Sequence, residues 1–199
     1  RPITRTDQTL LPPAVPTLPD LDVAPTFQGR YADLLAAAPA ERARLDELIA
    51  SLHANMPQVR RNRYSLEVFL AVAHLLRHTV DMLLATAEAE SMLVQATEAD
   101  RSDEPGKAVG LMVRAERTMV GVVEGLRETY AALVRVWEKS MYPRNRTVDG
   151  QQFHHVMDDV KDHFADRRTD LSYMIAPEQS IGLDGWRRQL RGVAEAYAE

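Results

Sequence analysis

The densest group of side chains able to do chemistry lies between positions 154 and 166, where three histidines alternate with four aspartates. On a helix, His155, Asp159 and His163 fall four residues apart on one face. Imidazole and carboxylate groups so placed can converge on a transition metal. The group matches neither the HExxH pattern nor the Glu-x-x-His pairs of di-iron bundles, so a solvated acidic face with histidines at its edge is the alternative to a metal site.

Aromatic and arginine residues gather at two further places, the end of the third predicted helix and the irregular stretch after the fourth. Tryptophan and tyrosine offer flat apolar faces and arginine offers hydrogen bonds, which is the mixture that a sugar or an acidic ligand uses. The same residue types anchor protein interfaces. The candidates for ligand or interface contact are Trp137, Tyr142, Arg144, Arg167, Asp170, Tyr173 and Trp186.

A polar stripe of the second predicted helix carries His74 and His78, followed by Asp81 and Glu88. It matches no known ligand motif, which favours histidines at the edge of the core over metal ligands. The chain also has no cysteine, no glycine-rich phosphate loop and no Gly-x-Ser-x-Gly elbow. We therefore predict no catalytic residue and no cofactor.

Charge and composition restrict the classes of partner that the chain can bind. The chain has 29 acidic and 24 basic residues, a formal charge of −5, and no basic patch dense enough to hold a phosphate backbone, which argues against nucleic acid. No apolar run approaches the roughly 18 residues that span a bilayer, so we expect no membrane span. The absence of cysteine leaves the compartment open. The start at Arg1, followed by a proline-rich stretch, suggests a processed protein or a fragment.

The distribution of proline predicts two regions. Six of the eleven prolines lie in the first 25 residues, where fixed φ and missing N–H groups oppose a helix. We predict an extended, proline-rich connector over residues 1–28, lying along the surface of a helical bundle domain over residues 29–199, because its scattered leucines are too apolar for a free linker.

Apolar residues three and four apart predict an all-α, antiparallel helical bundle built on a long central helix hairpin. Pro39 is a possible break in the first helix, and Gly121 and Gly125 predict close packing of the third. A seam from Leu66 through Phe69, Leu76 and Leu83 is expected to lie in the core. The predicted helices are 29–53, 65–99, 107–141, 149–167 with Asp149 as N-cap, and a last helix from Asp184 as N-cap.

Four runs of sequence carry a family resemblance: residues 61–70, 133–140, 158–167 and 170–175. Together they resemble the helical region that follows the catalytic barrel in some bacterial proteins similar to family 20 glycoside hydrolases, the β-N-acetylhexosaminidase group. The resemblance implies an accessory domain that buttresses the barrel and rims its sugar site. The catalytic Asp-Glu pair of that family belongs to the barrel, so none of its catalytic residues maps onto this chain.

Three functional hypotheses follow. The first is a noncatalytic accessory domain of a bacterial carbohydrate-processing protein, whose partner is the catalytic domain of the same polypeptide, with carbohydrate as a further ligand and a periplasmic or extracellular location. The second is a self-standing helical protein-binding or oligomerisation module that uses an apolar face; without the resemblance, the location is cytoplasmic. The third is a metal-binding protein that uses His155, Asp159 and His163.

Overall fold

The protein is an all-α bundle built on a central hairpin, as the apolar spacing predicts. The computed structural model describes residues 11–19, 21–137, 139, 147–148, 151–152 and 182–199. The helices of this part of the chain are α1 (Thr26–Arg30), α2 (Ala32–Asn55), α3 (Arg63–Arg101), α4 (Pro105–Trp137) and α5 (Leu183–Ala198), with a single 3₁₀ turn at Met56–Gln58. Two-residue strands β1 (Thr147–Val148) and β2 (Gln151–Gln152) pair in antiparallel fashion.

The hairpin of α3 and α4 turns within three residues, tighter than the seven-residue loop predicted from sequence. Asp103 adopts a left-handed conformation with φ of 58°. The Glu104 N–H donates to the Ala99 carbonyl at 2.9 Å and the Asp103 N–H to the Asp100 carbonyl at 3.0 Å. This pair of bonds is a Schellman motif, and aspartate tolerates the left-handed position better than most residues do. The C-terminus of α3 is therefore capped by backbone hydrogen bonds from the turn itself.

Pro39, the possible break in the first long helix, does not interrupt it. α2 runs unbroken from Ala32 to Asn55 with Pro39 inside it. Proline removes one hydrogen bond there, but α2 packs along α3, and packing of that kind supplies most of the stability of a helix in a protein. Helical backbone also begins earlier than predicted, because α1 starts at Thr26, inside the predicted connector.

Two predicted helix starts need correction. The fourth helix was expected to begin at Asp149, but Gln151–Gln152 pairs with Thr147–Val148 as a strand. The sequence between the strands is Asp149-Gly150, a dipeptide favoured in two-residue hairpin loops, and that local preference outweighs the capping pattern. The rest of the predicted fourth helix lies outside the described residues. In α5 the N-cap is Gly182, with φ of 70°, and not Asp184.

The core is unevenly distributed along α3. Its C-terminal half, residues 82–101, contacts α4, α1 and the chain that precedes α1, and ten of its side chains are buried, against three in residues 63–81. α5 adds Leu183, Trp186, Leu190 and Ala194 to the same core. The N-terminal half of α3 therefore has one side without a covering helix among the described elements.

Candidate functional site

The structure describes few of the side chains selected from the sequence. The backbone of Trp137 ends α4, and its side chain lies outside the described part. Trp186 is buried in α5 at 5 % exposure, and its indole N–H donates to the Pro13 carbonyl at 2.7 Å. The remaining ligand candidates (Tyr142, Arg144, Arg167, Asp170, Tyr173) and the metal candidates (His155, Asp159, His163) all lie outside the described residues.

The histidine stripe of α3 is engaged with protein. His78 Nε2 lies 2.9 Å from the Val122 carbonyl of α4, and its ring covers Gly125. His74 faces His53 of α2, with ring centroids 5.9 Å apart. Burial, and secondarily the charge of His53, lower the pKa of His74. Both histidines of the stripe thus face a neighbouring helix, and His78 also bonds to its backbone.

Asp81, the first acidic residue of that stripe, is also engaged with protein. Asp81 pairs with Arg77 and, at 3.1 Å, with Arg42 of α2, while Asp46 accepts from Arg77 at 2.7 Å. These bonds bridge α2 and α3 and raise the pKa of Arg77 against the opposing effect of burial, the largest single influence on it. No group of three or more histidine or acidic side chains within the described ranges is placed to hold a metal ion.

A second ionic cluster joins α4 to α5. Glu116, 5 % exposed, accepts from Arg187 at 2.6 Å and from Arg191 at 2.9 Å. Arg187 also donates to Asp184 at 3.0 Å, and this bond is the first cause of the lowered pKa of Asp184. The Arg187 pKa is raised, first by its bond to Glu116. Because each buried charge has an opposite partner, the cluster holds two helices together and offers no poised acid or base.

A groove of about 260 Å³ runs beside this cluster between α4 and α5. Its volume is below the roughly 300–1,000 Å³ of typical small-molecule sites. Two of its polar residues, Glu116 and Arg191, already bind each other. The lining residues are Val109, Val113, Glu116, Arg117, Arg191, Ala194, Glu195 and Ala198.

The most distinctive surface of the described molecule lies on the N-terminal half of α3. Phe69, Val72 and Leu76 are 63 %, 38 % and 51 % exposed, at helical spacings of three and four residues. We call these three residues the α3 apolar face. The sequence prediction that Phe69 and Leu76 belong to the core seam is therefore wrong, although Leu83, seven residues after Leu76, is buried. The flanking positions on this side, Ser65 and Thr79, are uncharged.

α3 is also the described helix that is long and apolar enough to cross a membrane, with a mean hydropathy of 1.5 over its most apolar window. Only 28 % of that window is buried. Core helices of soluble proteins pass the same test of length and composition, and α3 carries the ion-paired Arg77 and Asp81, so hydropathy is weak evidence for a membrane span.

Sequence analysis did not single out the buried acidic residue Glu90, which has 0 % exposure. It follows Leu76 and Leu83 at seven-residue intervals, so it stands on the seam that was predicted to be apolar. A carboxylate at such a position is a usable signal, because a buried charge requires a partner.

No family model, curated protein or solved structure matches this chain. The resemblance to family 20 glycoside hydrolases therefore stays an expectation from the sequence.

Proposed function

We propose that this chain is a noncatalytic helical interaction domain that associates with a second copy of itself through the α3 apolar face. The observation that carries the proposal is the exposure of Phe69, Val72 and Leu76 on one side of a long helix. Transfer of such side chains from water into an interface is favourable by roughly 25 cal/mol per Å² of apolar surface. Clustered apolar exposure of this kind marks interaction surfaces.

A second copy is the occupant that fits this face best, for two reasons. Phe69 and Leu76 stand about equally far on either side of Val72, so an antiparallel pairing of two α3 helices about a two-fold axis near Val72 brings Phe69 of each copy to Leu76 of the other. The side from Ser65 to Thr79, about 21 Å of helix, carries no charge at these positions, so two copies meet without repulsion. The helical spacing also matches a short coiled-coil seam.

Sedimentation of the full chain tests the proposal. The apparent mass of the wild type is expected to rise with protein concentration from the monomer mass of 22.4 kDa toward twice that mass, whereas F69Q/L76Q stays monomeric. The two substituted side chains are more than half exposed, so the monomer should keep its fold. L34Q is the matched control: Leu34 is 54 % exposed on α2, near the far end from the turn into α3, and its replacement should leave the dimer intact.

Cross-linking tests the geometry separately. The chain has no cysteine, so V72C introduces a single thiol. Mild oxidation is expected to give a covalent dimer of V72C rapidly and of L34C slowly, because a disulfide needs Cα atoms within about 7 Å. A wild type that stays monomeric, together with equal cross-linking of the two variants, would overturn self-association. The face would then remain for a different domain, such as the catalytic domain that the sequence resemblance implies.

A further inference from the structure

The segment before α1 carries prolines at a three-residue interval, Pro13, Pro16 and Pro19. A polyproline II helix has three residues per turn, so such an interval places the prolines on one edge. The backbone of residues 11–17 is neither helix nor strand; Pro13 and Pro16 are buried, whereas Ala14, Thr17 and Pro19 are exposed. The edge that carries Pro13 and Pro16 therefore rests on the bundle, and Pro19 lies beyond it.

Two aromatic residues from different elements hold the backbone of this segment. Trp186 of α5 donates its indole N–H to the Pro13 carbonyl at 2.7 Å, in a buried contact. Tyr31, at the start of α2, accepts the Leu11 N–H on its hydroxyl at 2.9 Å. Proline-binding domains also use aromatic side chains, which line a groove that accepts a preformed proline-rich helix.

Residues 11–16 are held differently from the chain that follows them. Leu21, Val23 and Phe27 are at most 6 % exposed and are anchored in the core. Leu11 is 53 % exposed, and its hydrogen bond with Tyr31 is exposed to solvent. Release of residues 11–16 with residues 21–27 in place would require the loss of the buried Pro13 and Pro16 contacts and of the two backbone hydrogen bonds, which is a local opening short of global unfolding.

We propose that Trp186 and Tyr31 form a recognition site for a proline-rich segment of another protein, and that residues 11–16 are its resident, displaceable ligand. The contacts use a carbonyl, an amide and proline rings, so a Pro-x-x-Pro segment of another sequence can make them. The same segment of a second copy of this chain is a less favourable occupant of the site. Exchange between copies replaces each contact with an identical one, and it loses the high effective concentration of a ligand tethered to its own site. This inference is independent of the α3 apolar face.

Binding of a labelled peptide of residues 11–17 to the full chain tests the site. In P13G/P16G the resident segment loses its buried rings, and the peptide is expected to bind about tenfold more tightly than to wild type, since the internal competitor is weakened. A14G/T17G is the matched control, because it places two glycines at exposed positions of the same segment and should bind the peptide like wild type. Adding Y31F to P13G/P16G should weaken peptide binding again, because it removes the hydroxyl that accepts the Leu11 N–H.

A second measurement needs no change in the segment. A spin-labelled peptide should broaden the indole N–H resonance of Trp186 in wild type; a W186F sample assigns that signal. Equal binding of a peptide with alanine in place of its prolines, or folded P13G/P16G that binds no more tightly than wild type, would overturn the proposal. Dimerisation of F69Q/L76Q would also overturn it. The α3 apolar face is disabled in that variant, so a dimer that remains would be formed by exchange of residues 11–16 between copies.

Discussion

Glu90 of α3 caps the N-terminus of α1 across 63 residues of sequence: its Oε1 accepts the Phe27 N–H at 2.6 Å, and its Oε2 accepts the Gln28 N–H at 2.8 Å. These are the second and third residues of α1, the N–H groups that a helix normally presents to its own N-cap side chain. Pro25 occupies the N-cap position and has no side chain that can accept them. A carboxylate from another helix takes that role.

We expect E90Q to lower the free energy of unfolding by about 2 kcal/mol, because the amide keeps one acceptor and turns its NH₂ toward the second backbone donor. Urea unfolding measures the loss, and amide exchange at Phe27 should accelerate with it. E88Q is the control, since Glu88 is exposed two residues away on the same helix. Equal stabilities of the two variants would show that the cap contributes nothing.

The two glycines of α4 are expected to respond oppositely to alanine. A Cβ at Gly125 would lie 2.7 Å from His78 Cε1, whereas a Cβ at Gly121 meets nothing within 4 Å. G125A should therefore displace the His78 ring from the Val122 carbonyl and cost about 1–3 kcal/mol. G121A should stabilise the helix by up to about 1 kcal/mol. Thermal unfolding compares them.

A double-mutant cycle isolates the cause. In an H78A background the ring is gone, so G125A should lose most of its cost there. A cost that persists unchanged would assign it to the backbone of α4 and not to His78.

The helix hairpin was predictable from sequence because its apolar residues repeat every three and four positions over two long segments. Which residues of one apolar seam are buried was not predictable from the sequence. Leu76 and Leu83 have the same periodicity, yet one is exposed and the other buried, since exposure depends on which other elements lie against each half of α3. The capping pattern in the sequence also predicted helix at Gln152, whereas Gln151–Gln152 is a strand.

The candidate sites were less predictable, for a related reason. The residue types that bind ligands also make structural contacts, and spacing along one helix does not distinguish the two uses. His78 and Trp186 both carry the right chemistry, and each bonds to a backbone carbonyl of the same chain. Tyr31 was not predictable as a contact residue, because its hydrogen bond with Leu11 depends on how the proline-rich segment packs on the bundle.

Glu116 is expected to be the energetic centre of the α4–α5 contact. E116Q leaves Arg187 and Arg191 facing a neutral amide, and removal of one partner from a buried ion pair costs about 3 kcal/mol or more, here reduced because Arg191 is half exposed. We expect a loss of about 2 kcal/mol in urea unfolding. E124Q, at an exposed position of the same helix, should unfold like wild type.

The His53–His74 pair should make the protein less stable in mild acid. The pKa of His74 is lowered in the folded state, first by burial and then by the charge of His53, while Arg77, also cationic, stands on the next turn of α3 between Asp46 and Asp81. The folded state therefore binds fewer protons than the unfolded chain. The free energy of unfolding holds its full value above the ordinary histidine pKa of 6.5 and falls as the pH drops from there through the folded pKa.

Urea unfolding at about pH 7.5 and about pH 5.5 measures this loss. The chain has six histidines, so the comparison between variants carries the result. H74Q should remove the contribution of this pair, and H53Q should remove part of it, because only the charge of the neighbour is lost while the burial of His74 remains. An unchanged difference between the two pH values in H74Q would place the acid sensitivity elsewhere, and a larger effect of H53Q than of H74Q would reverse the assigned order of causes.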